Sequence, residues 1–507
     1  MPNSAKETGE ASSRTSSAEK NVPEGSPHYQ AVALIVVMMG VMMTAIDTTA
    51  VVLALPVMMA DLRSDILSMI WVIMAYLLVL TIFGTQVGRL GDMYGRVRMY
   101  NLGFAIFTVG SLLCGLSQTG PEIIQFRILQ GVGGALVFSN SGAIIADTVP
   151  EARRGRAYGL TSIGYSVGAI LGILVGGALI TFLSWRYIFY INVPIGIAAV
   201  VVSYLVLKER SPRIARRLDF AGMALMGAGL FLVLYALTGI TGSGLTEVAS
   251  VQLAGGALLI LGFVFWERYF SSPLLELSLL KQRVLTASVF AAFFQALATF
   301  AVLFLVIMYL QGVRGLTPFG ASTLLIPGYL LGGFLGPLAG RLSDKYGARV
   351  VATVGLSLQA VGILTYSTLA LNSPLWVVIV ASVINGSGSS FFFPSNNSAV
   401  MANAPPRAYG VASGLLRTLS NTGMVTSFAV ALLISSISIP RQEAFAIFLG
   451  VNQLSGQLAS AFVTGMHSAL WASIGIIAVA IALSILRGKE ARTTFQIASP
   501  RKGRASS

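Results

Sequence analysis

The chain has 507 residues, of which 55% are hydrophobic and only 10% charged, with a mean hydropathy of +0.80. A soluble protein of this size carries about 25% charge, so the composition excludes a water-soluble globular fold and indicates a polytopic membrane protein. The net charge of +14 is no nucleic-acid signature, because the basic residues fall in alternate loops, and the single Cys114 rules out an intramolecular disulfide.

Residues 1–30 are rich in Ser, Glu, Lys and Pro and lack an apolar core. They read as a disordered cytoplasmic tail rather than a signal peptide. Fourteen apolar runs follow, each long enough to cross a bilayer: 31–55, 67–88, 99–117, 121–145, 157–183, 187–207, 219–240, 249–266, 284–310, 319–340, 350–371, 375–400, 408–436 and 467–486. With the N-terminus inside, the inner loops hold 18 Lys and Arg and the outer loops 4. That bias places both termini in the cytoplasm. The outer loop at 437–466 is the only long one and could fold as an amphipathic or re-entrant hairpin.

One stretch between the second and third runs organises the rest: Gly88-Arg-Leu-Gly-Asp92-Met-Tyr-Gly95-Arg96-Val-Arg98. A near copy, Gly340-Arg-Leu-Ser-Asp344-Lys-Tyr-Gly347-Ala-Arg349, lies between runs ten and eleven. Two related halves follow from the repeat. Gly95 and Gly347 permit positive φ where a helix ends, and the carboxylate can face the start of a neighbouring helix. Two six-span halves would put the second copy between spans eight and nine, so spans seven and eight are an insertion. The expected fold is therefore all-α, with a first six-helix bundle at 31–207 and a linker with two inserted helices at 208–283. A second bundle follows at 284–487, then a basic cytoplasmic tail at 488–507. The inserted pair has no interior charge and reads as a lipid-facing appendix.

Ionisable groups inside spans are costly and mark function. Asp47 lies in span 1, Arg127 in span 4, Arg417 in span 13, and Asp147 at the inner end of span 4. At 1.5 Å per residue, Asp47 and Arg127 sit about 13 and 9 Å below the outer face, so they meet if their helices are neighbours. Gln130, one turn from Arg127, and Tyr76 at similar depth would complete a polar site. Such a set suits a protonation switch, since the arginine favours a charged aspartate and burial a neutral one; a static ion pair between helices is the alternative. At the inner face Gly88, Asp92, Gly95, Arg96, Asp147 and Arg417 form a candidate gate. In it Arg417 either reaches Asp147 across the halves or snorkels to the headgroups.

Span 5 carries Gly159, Gly168, Gly172, Gly176 and Gly177, which allow close helix packing or a sliding contact between the halves. Met43, Phe294, Gln295, Asn385 and Phe392 are candidates for an adaptable substrate cavity, although packing is the default role of such residues. The two histidines are too isolated for a metal site.

Four motifs resemble the major facilitator superfamily, specifically its 14-span drug:proton antiporters, and the likeness covers nearly the whole chain after residue 30. They are Asp47-Thr-Thr-Ala-Val-Val-Leu-Ala-Leu-Pro56, Gly88–Arg98, Arg127-Ile-Leu-Gln130-Gly131-Val-Gly133, and Trp185-Arg186-x-x-Phe189-x-x-Asn192-x-Pro194-x-Gly196. The resemblance implies two six-helix bundles around a central cavity, alternating access, and multidrug efflux driven by the proton gradient with no cofactor. It associates the aspartate with proton handling. Two departures stand out. Ile173 replaces the proline of the family's span-5 motif, and the second half has no membrane acid, which points to neutral or monovalent lipophilic substrates or to reliance on Asp47 alone.

The expectation is a multi-pass transporter of the cell membrane, not an enzyme. It would be a monomer with protons, a small molecule and the bilayer as its partners, and no nucleic acid. It would export hydrophobic or cationic drugs and so confer antibiotic resistance. A dedicated exporter of one metabolite or lipid, or a symporter or uniporter, is the alternative. No nucleophile–base set, metal cluster or phosphate loop supports a membrane enzyme or receptor.

Overall fold

The computed structural model describes residues 27–209, 218–270, 273, 275, 277–404, 409–440 and 456–488. Among them fourteen helices are long and apolar enough to cross a membrane, and there are no strands. The first half holds α1 (Pro27–Asp61), α2 (Ile66–Tyr94), α3 (Arg96–Leu116), α4 (Gly120–Thr148), α5 (Glu151–Phe182), α6 (Tyr187–Tyr190) and α7 (Asn192–Val206). The insertion is α8 (Phe220–Ser243) and α9 (Glu247–Tyr269). The second half holds α10 (Arg283–Met308), α11 (Pro318–Tyr346), α12 (Ala348–Tyr366), α13 (Trp376–Asn403), α14 (Tyr409–Ile437) and α15 (Gln457–Leu486).

Helix ends follow sequence chemistry. Thr119 and Thr317 cap α4 and α11 just before a proline in the first turn, and Asp65 caps α2 by accepting from the Ser68 N–H at 2.8 Å. Each cap satisfies an N–H that the helix leaves open. Both repeated turns are single glycines between helices, Gly95 at φ 112° and Gly347 at φ 91°. We call the face that carries them the motif face, and the opposite one the far face.

The repeat extends into the packing. A Cβ on Gly103 would meet the Gly133 carbonyl, and one on Gly355 the Gly388 carbonyl. Gly110 lies against Gln130 as Gly362 lies against Asn385, and Gly168 against Met42 as Gly423 lies against Phe293. These matched close approaches set the register between halves.

The structure differs from the sequence reading in three places. Span 6 is broken at Ile191 into α6 and α7, two residues after Phe189 and ahead of Pro194. The last span starts at Gln457 rather than 467, because Ala459–Met466 bury apolar side chains. The expected hairpin at 437–466 falls mostly on residues outside those described. The insertion, finally, is not wholly an appendix. α9 packs on α8, with Leu258, Leu261 and Phe265 exposed. α8 spans the seam between the halves, touching α2 and α14. The Trp71 ring of α2 meets Phe231 at 5.4 Å, tilted by 54°, and Gly227 seats Ile82 of α2.

Candidate functional site

Asp47 and Arg127 meet in the core of the first half. Arg127 Nη1 donates to Asp47 Oδ2 at 2.6 Å, and both residues are 1% exposed. α1, α2, α3, α4 and α7 each supply a group. Gln130 Nε2 donates to Asp47 Oδ1 at 2.8 Å and to Ser111 Oγ at 2.6 Å. Its Oε1 accepts from Arg127 at 2.6 Å. Arg127 Nε donates to the Val72 carbonyl at 2.9 Å, and Asn192 Nδ2 lies 3.5 Å from Asp47 Oδ1. The Tyr76 ring stacks on the guanidinium at 4.2 Å, with Phe189 at 5.9 Å. Burying an ion pair is expensive unless its remaining hydrogen-bonding capacity is met, and here most of it is. Two buried atoms beside the pair, Tyr76 Oη and Asn192 Oδ1, lack a partner among the described residues.

All four residues singled out for this site therefore converge. Ser111, Asn192, Phe189 and the Val72 carbonyl were not singled out. Only the Trp185–Gly196 motif pointed at two of them. That segment is anchored at the far face. Trp185 Nε1 donates to Asp61 at 2.8 Å, Arg186 pairs with Asp61 at 2.6 Å, and Tyr190 Oη donates to the Gly115 carbonyl. Asp61, at the last turn of α1, thus accepts from both Trp185 and Arg186.

The register between halves places Ala298, Ser382 and Asn385 where the first half has Asp47, Arg127 and Gln130. The second half's own polar cluster is neutral: Gln295 Nε2 donates to Gln359 at 3.2 Å, and Gln359 Nε2 to Ser389 at 2.6 Å. Among the described residues the buried ion pair has no counterpart there; the buried cation of that half, Arg487, instead donates to Ser288 Oγ at 3.3 Å and Asn396 Oδ1 at 3.4 Å.

At the motif face Arg96 bridges two acids, bonding Asp92 at 2.8 Å and Asp147 at 2.6 Å. The anion at the start of α3 is Glu209, which accepts from the N–H groups of Arg96, Val97 and Arg98 at 2.9, 3.1 and 3.4 Å. Arg417 crosses between the halves, with its guanidinium 4.4 Å over the Phe138 ring, and Asp147 accepts from Arg96 at 2.6 Å. Gly88 sits inside α2 with open space where a Cβ would stand, so it adds no contact.

The glycines of α5 face two partners, one in each half. Gly168, Gly172 and Gly176, one turn apart, all face α1 of the same half; a Cβ on Gly172 would stand 2.1 Å from Thr49 Oγ1. Gly177, rotated about 100° further, faces Ser322 of α11. Gly159 lies on α5 nearer the motif face. α5 runs unbroken through Ile173, which is buried. The halves meet at the far face, where the Phe319 N–H donates to Thr181 Oγ1 and Gln311 Nε2 to the Leu53 carbonyl, each at 3.0 Å.

The candidate cavity residues differ in burial: three are sealed and two are partly exposed. Met43, Gln295 and Phe392 are sealed in helix contacts, with the Phe392 backbone pressed on Gly355. Phe294 is partly buried against Phe293 at 5.1 Å, and the Asn385 backbone abuts Gly362. Close packing at these glycines leaves no room for a ligand beside them in this conformation.

Twelve spanning helices in two repeat-related bundles and two more inserted between them, with a buried charge pair and a salt-bridged turn at one face, define a multi-pass membrane transporter. Residues 37–428 match the Major Facilitator Superfamily, and the chain belongs to that family; it is a transporter of the cell membrane and not an enzyme. It is 30% identical to the riboflavin transporter RibZ of Clostridioides difficile (strain 630), over 90% of this chain and 96% of the relative. It is also 30% identical to the multidrug resistance protein Stp of Mycobacterium tuberculosis (strain CDC 1551 / Oshkosh), over 79% and 75%. Among solved structures it resembles a bacterial homolog of the human lysosomal transporter Spinster in an inward-facing, occupied conformation. There the TM-score is 0.67 at 19% identity, covering 91% of this chain and 97% of the other.

Proposed function

We propose that the protein exports hydrophobic or monovalent cationic small molecules in exchange for protons, by alternating access between the two halves, with the motif face in the cytoplasm. One observation carries this reading: an Asp47–Arg127 pair in the core of the first half, the one ion pair among the described residues whose two side chains are both sealed from water. A proton on Asp47 removes the charge attraction and leaves an O–H that needs an acceptor. Asn192 Oδ1, unpartnered and on the same side chain that reaches Asp47, can supply it. Protonation thereby loosens α4 from α1 and strengthens α7 on α1. Substrate and proton then drive the cycle in so far as they bind the two states unequally. Arg96 with Asp92 and Asp147, and Arg417 on Phe138, hold the motif face together in the state seen here.

The test is proteoliposomes holding a pH-sensitive dye under an imposed proton gradient. Lipophilic cations and neutral drugs, added in turn, should each release protons through wild type and none through Asp47→Asn. Substrate movement without proton movement would reject antiport.

The likeness to a riboflavin transporter along almost its full length supports a second reading, a dedicated carrier of one metabolite. In the same assay, flux with riboflavin but with none of the drugs would select it.

A further inference from the structure

We infer that the groove between α12 and α15 is a binding site for one anionic phospholipid of the leaflet at the motif face. The groove encloses about 400 Å³ on the outside of the second half and is walled by Val350, Val354, Leu358, Val361 and Ile485. Arg349 stands at its motif-face end, partly buried. Among the described residues the Arg349 guanidinium has no hydrogen-bond or ion-pair partner, although burial of a charge ordinarily requires one.

Three observations fix the chemistry of the occupant. The first is length. Arg349 to Val361 is twelve residues of helix, about 18 Å, close to the ~15 Å depth of one leaflet of a 30 Å hydrocarbon core. One acyl chain laid along the groove thus spans it, with its headgroup at Arg349. The second is charge. Lys345 lies in the last turn of α11, two residues before Gly347 turns the chain into α12 and Arg349, and Arg283 donates to the Leu486 carbonyl next to the groove residue Ile485. Arg349 in the lining, with cations at the adjoining turn and helix end, suits a phosphate and an anionic headgroup. The third is the build of the groove. Thr353 and Ser484 hydroxyls bond each other at 2.8 Å and tie α12 to α15. Their polar groups are thereby satisfied within the protein, and the lining offered outward is apolar.

This site is separate from the Asp47 pair, and its test needs no transport. The full-length protein would be placed in nanodiscs of phosphatidylcholine and phosphatidylglycerol in equal parts. Lipids retained after release would be counted by native mass spectrometry. Wild type should keep one phosphatidylglycerol, preferred over phosphatidylcholine by at least about fivefold, the worth of one surface cation near 1 kcal/mol. Arg349→Gln should lose the preference, and Val354→Trp, which fills the groove and leaves the charges alone, should lose the retained lipid. Equal retention of both lipids by wild type would make the groove ordinary annular surface and overturn the site, as would undiminished phosphatidylglycerol on either variant. Because the two variants remove different parts, failure of one to fold leaves the other decisive.

Discussion

At the scale of residues, the site is a charge pair held by neutral groups, which decides what each substitution does. Asp47→Asn keeps the size and the Gln130 contact but leaves Arg127 without its counter-charge. Proton-coupled flux should vanish while downhill substrate exchange persists, read as labelled-substrate counterflow in proteoliposomes. Arg127→Ala strips the guanidinium from a buried carboxylate. Breaking such a pair costs about 3–5 kcal/mol when the remaining ion stays charged, so Asp47 should hold a proton instead. A protonated-carboxyl infrared band at neutral pH gained over wild type would show it; no gain, in a folded variant, would mean that Asp47 has another partner. Asp47, Arg127, Gln130 and Tyr76 were readable from sequence because charges in apolar runs are rare and depth follows from counting residues. Ser111 and Asn192 were not. A Ser or Asn in a span usually bonds its own helix backbone, and only tertiary packing turns it on to a partner far along the chain.

At the scale of elements, glycine spacing predicted close packing but not the partner. Period-four glycines mark one face of α5; which helix fills that face depends on how the bundle is wound, and it is α1 of the same half. Gly172→Ala would drive a methyl group into Thr49 and the Ile46 carbonyl. Overpacking of this kind costs about 1–3 kcal/mol, so the unfolding midpoint in detergent should fall. Gly164→Ala, where the nearest atom is Met38 at 3.6 Å, should leave it unchanged. Equal effects of the two would mean that α1 and α5 do not pack through this stripe. The repeated turn was legible down to the positive φ of Gly95 and Gly347. Glu209 was hidden in a basic linker whose charge suggested only topology. Gly95→Ala meets two obstacles, a φ of 112° and the Glu209 carboxylate 2.4 Å from the new methyl. It should weaken the motif face and raise solvent accessibility of a cysteine placed at Asp147, compared with the same cysteine in wild type.

At the scale of the whole molecule, the halves share a fold but not a charge. The repeat could be seen in the sequence as one copied turn; its register through α10 and α13 became visible only when matched glycine contacts aligned the helices. That register leaves Ala298 and Ser382 opposite Asp47 and Arg127, so the proton site proposed at Asp47 is not repeated in the second half. With Asp47 as the one proton carrier of that proposal, one proton per cycle is the expectation. For a neutral substrate the exchange is then electrogenic, moving one charge. At about 100 mV that is worth about 2.3 kcal/mol, enough to hold a substrate gradient of about fiftyfold. Reversal of flux under an imposed potential, with no pH difference, should therefore occur near that gradient. Two coupled protons would square it, and an uncoupled carrier would reverse at equal concentrations whatever the potential. A squared gradient would require a second titrating group. The buried Asp219 and Glu267, whose oxygens flank Gly222 at the motif-face end of α8 and α9, would then be the first residues to replace, because they are the remaining acids sealed from water among the described residues.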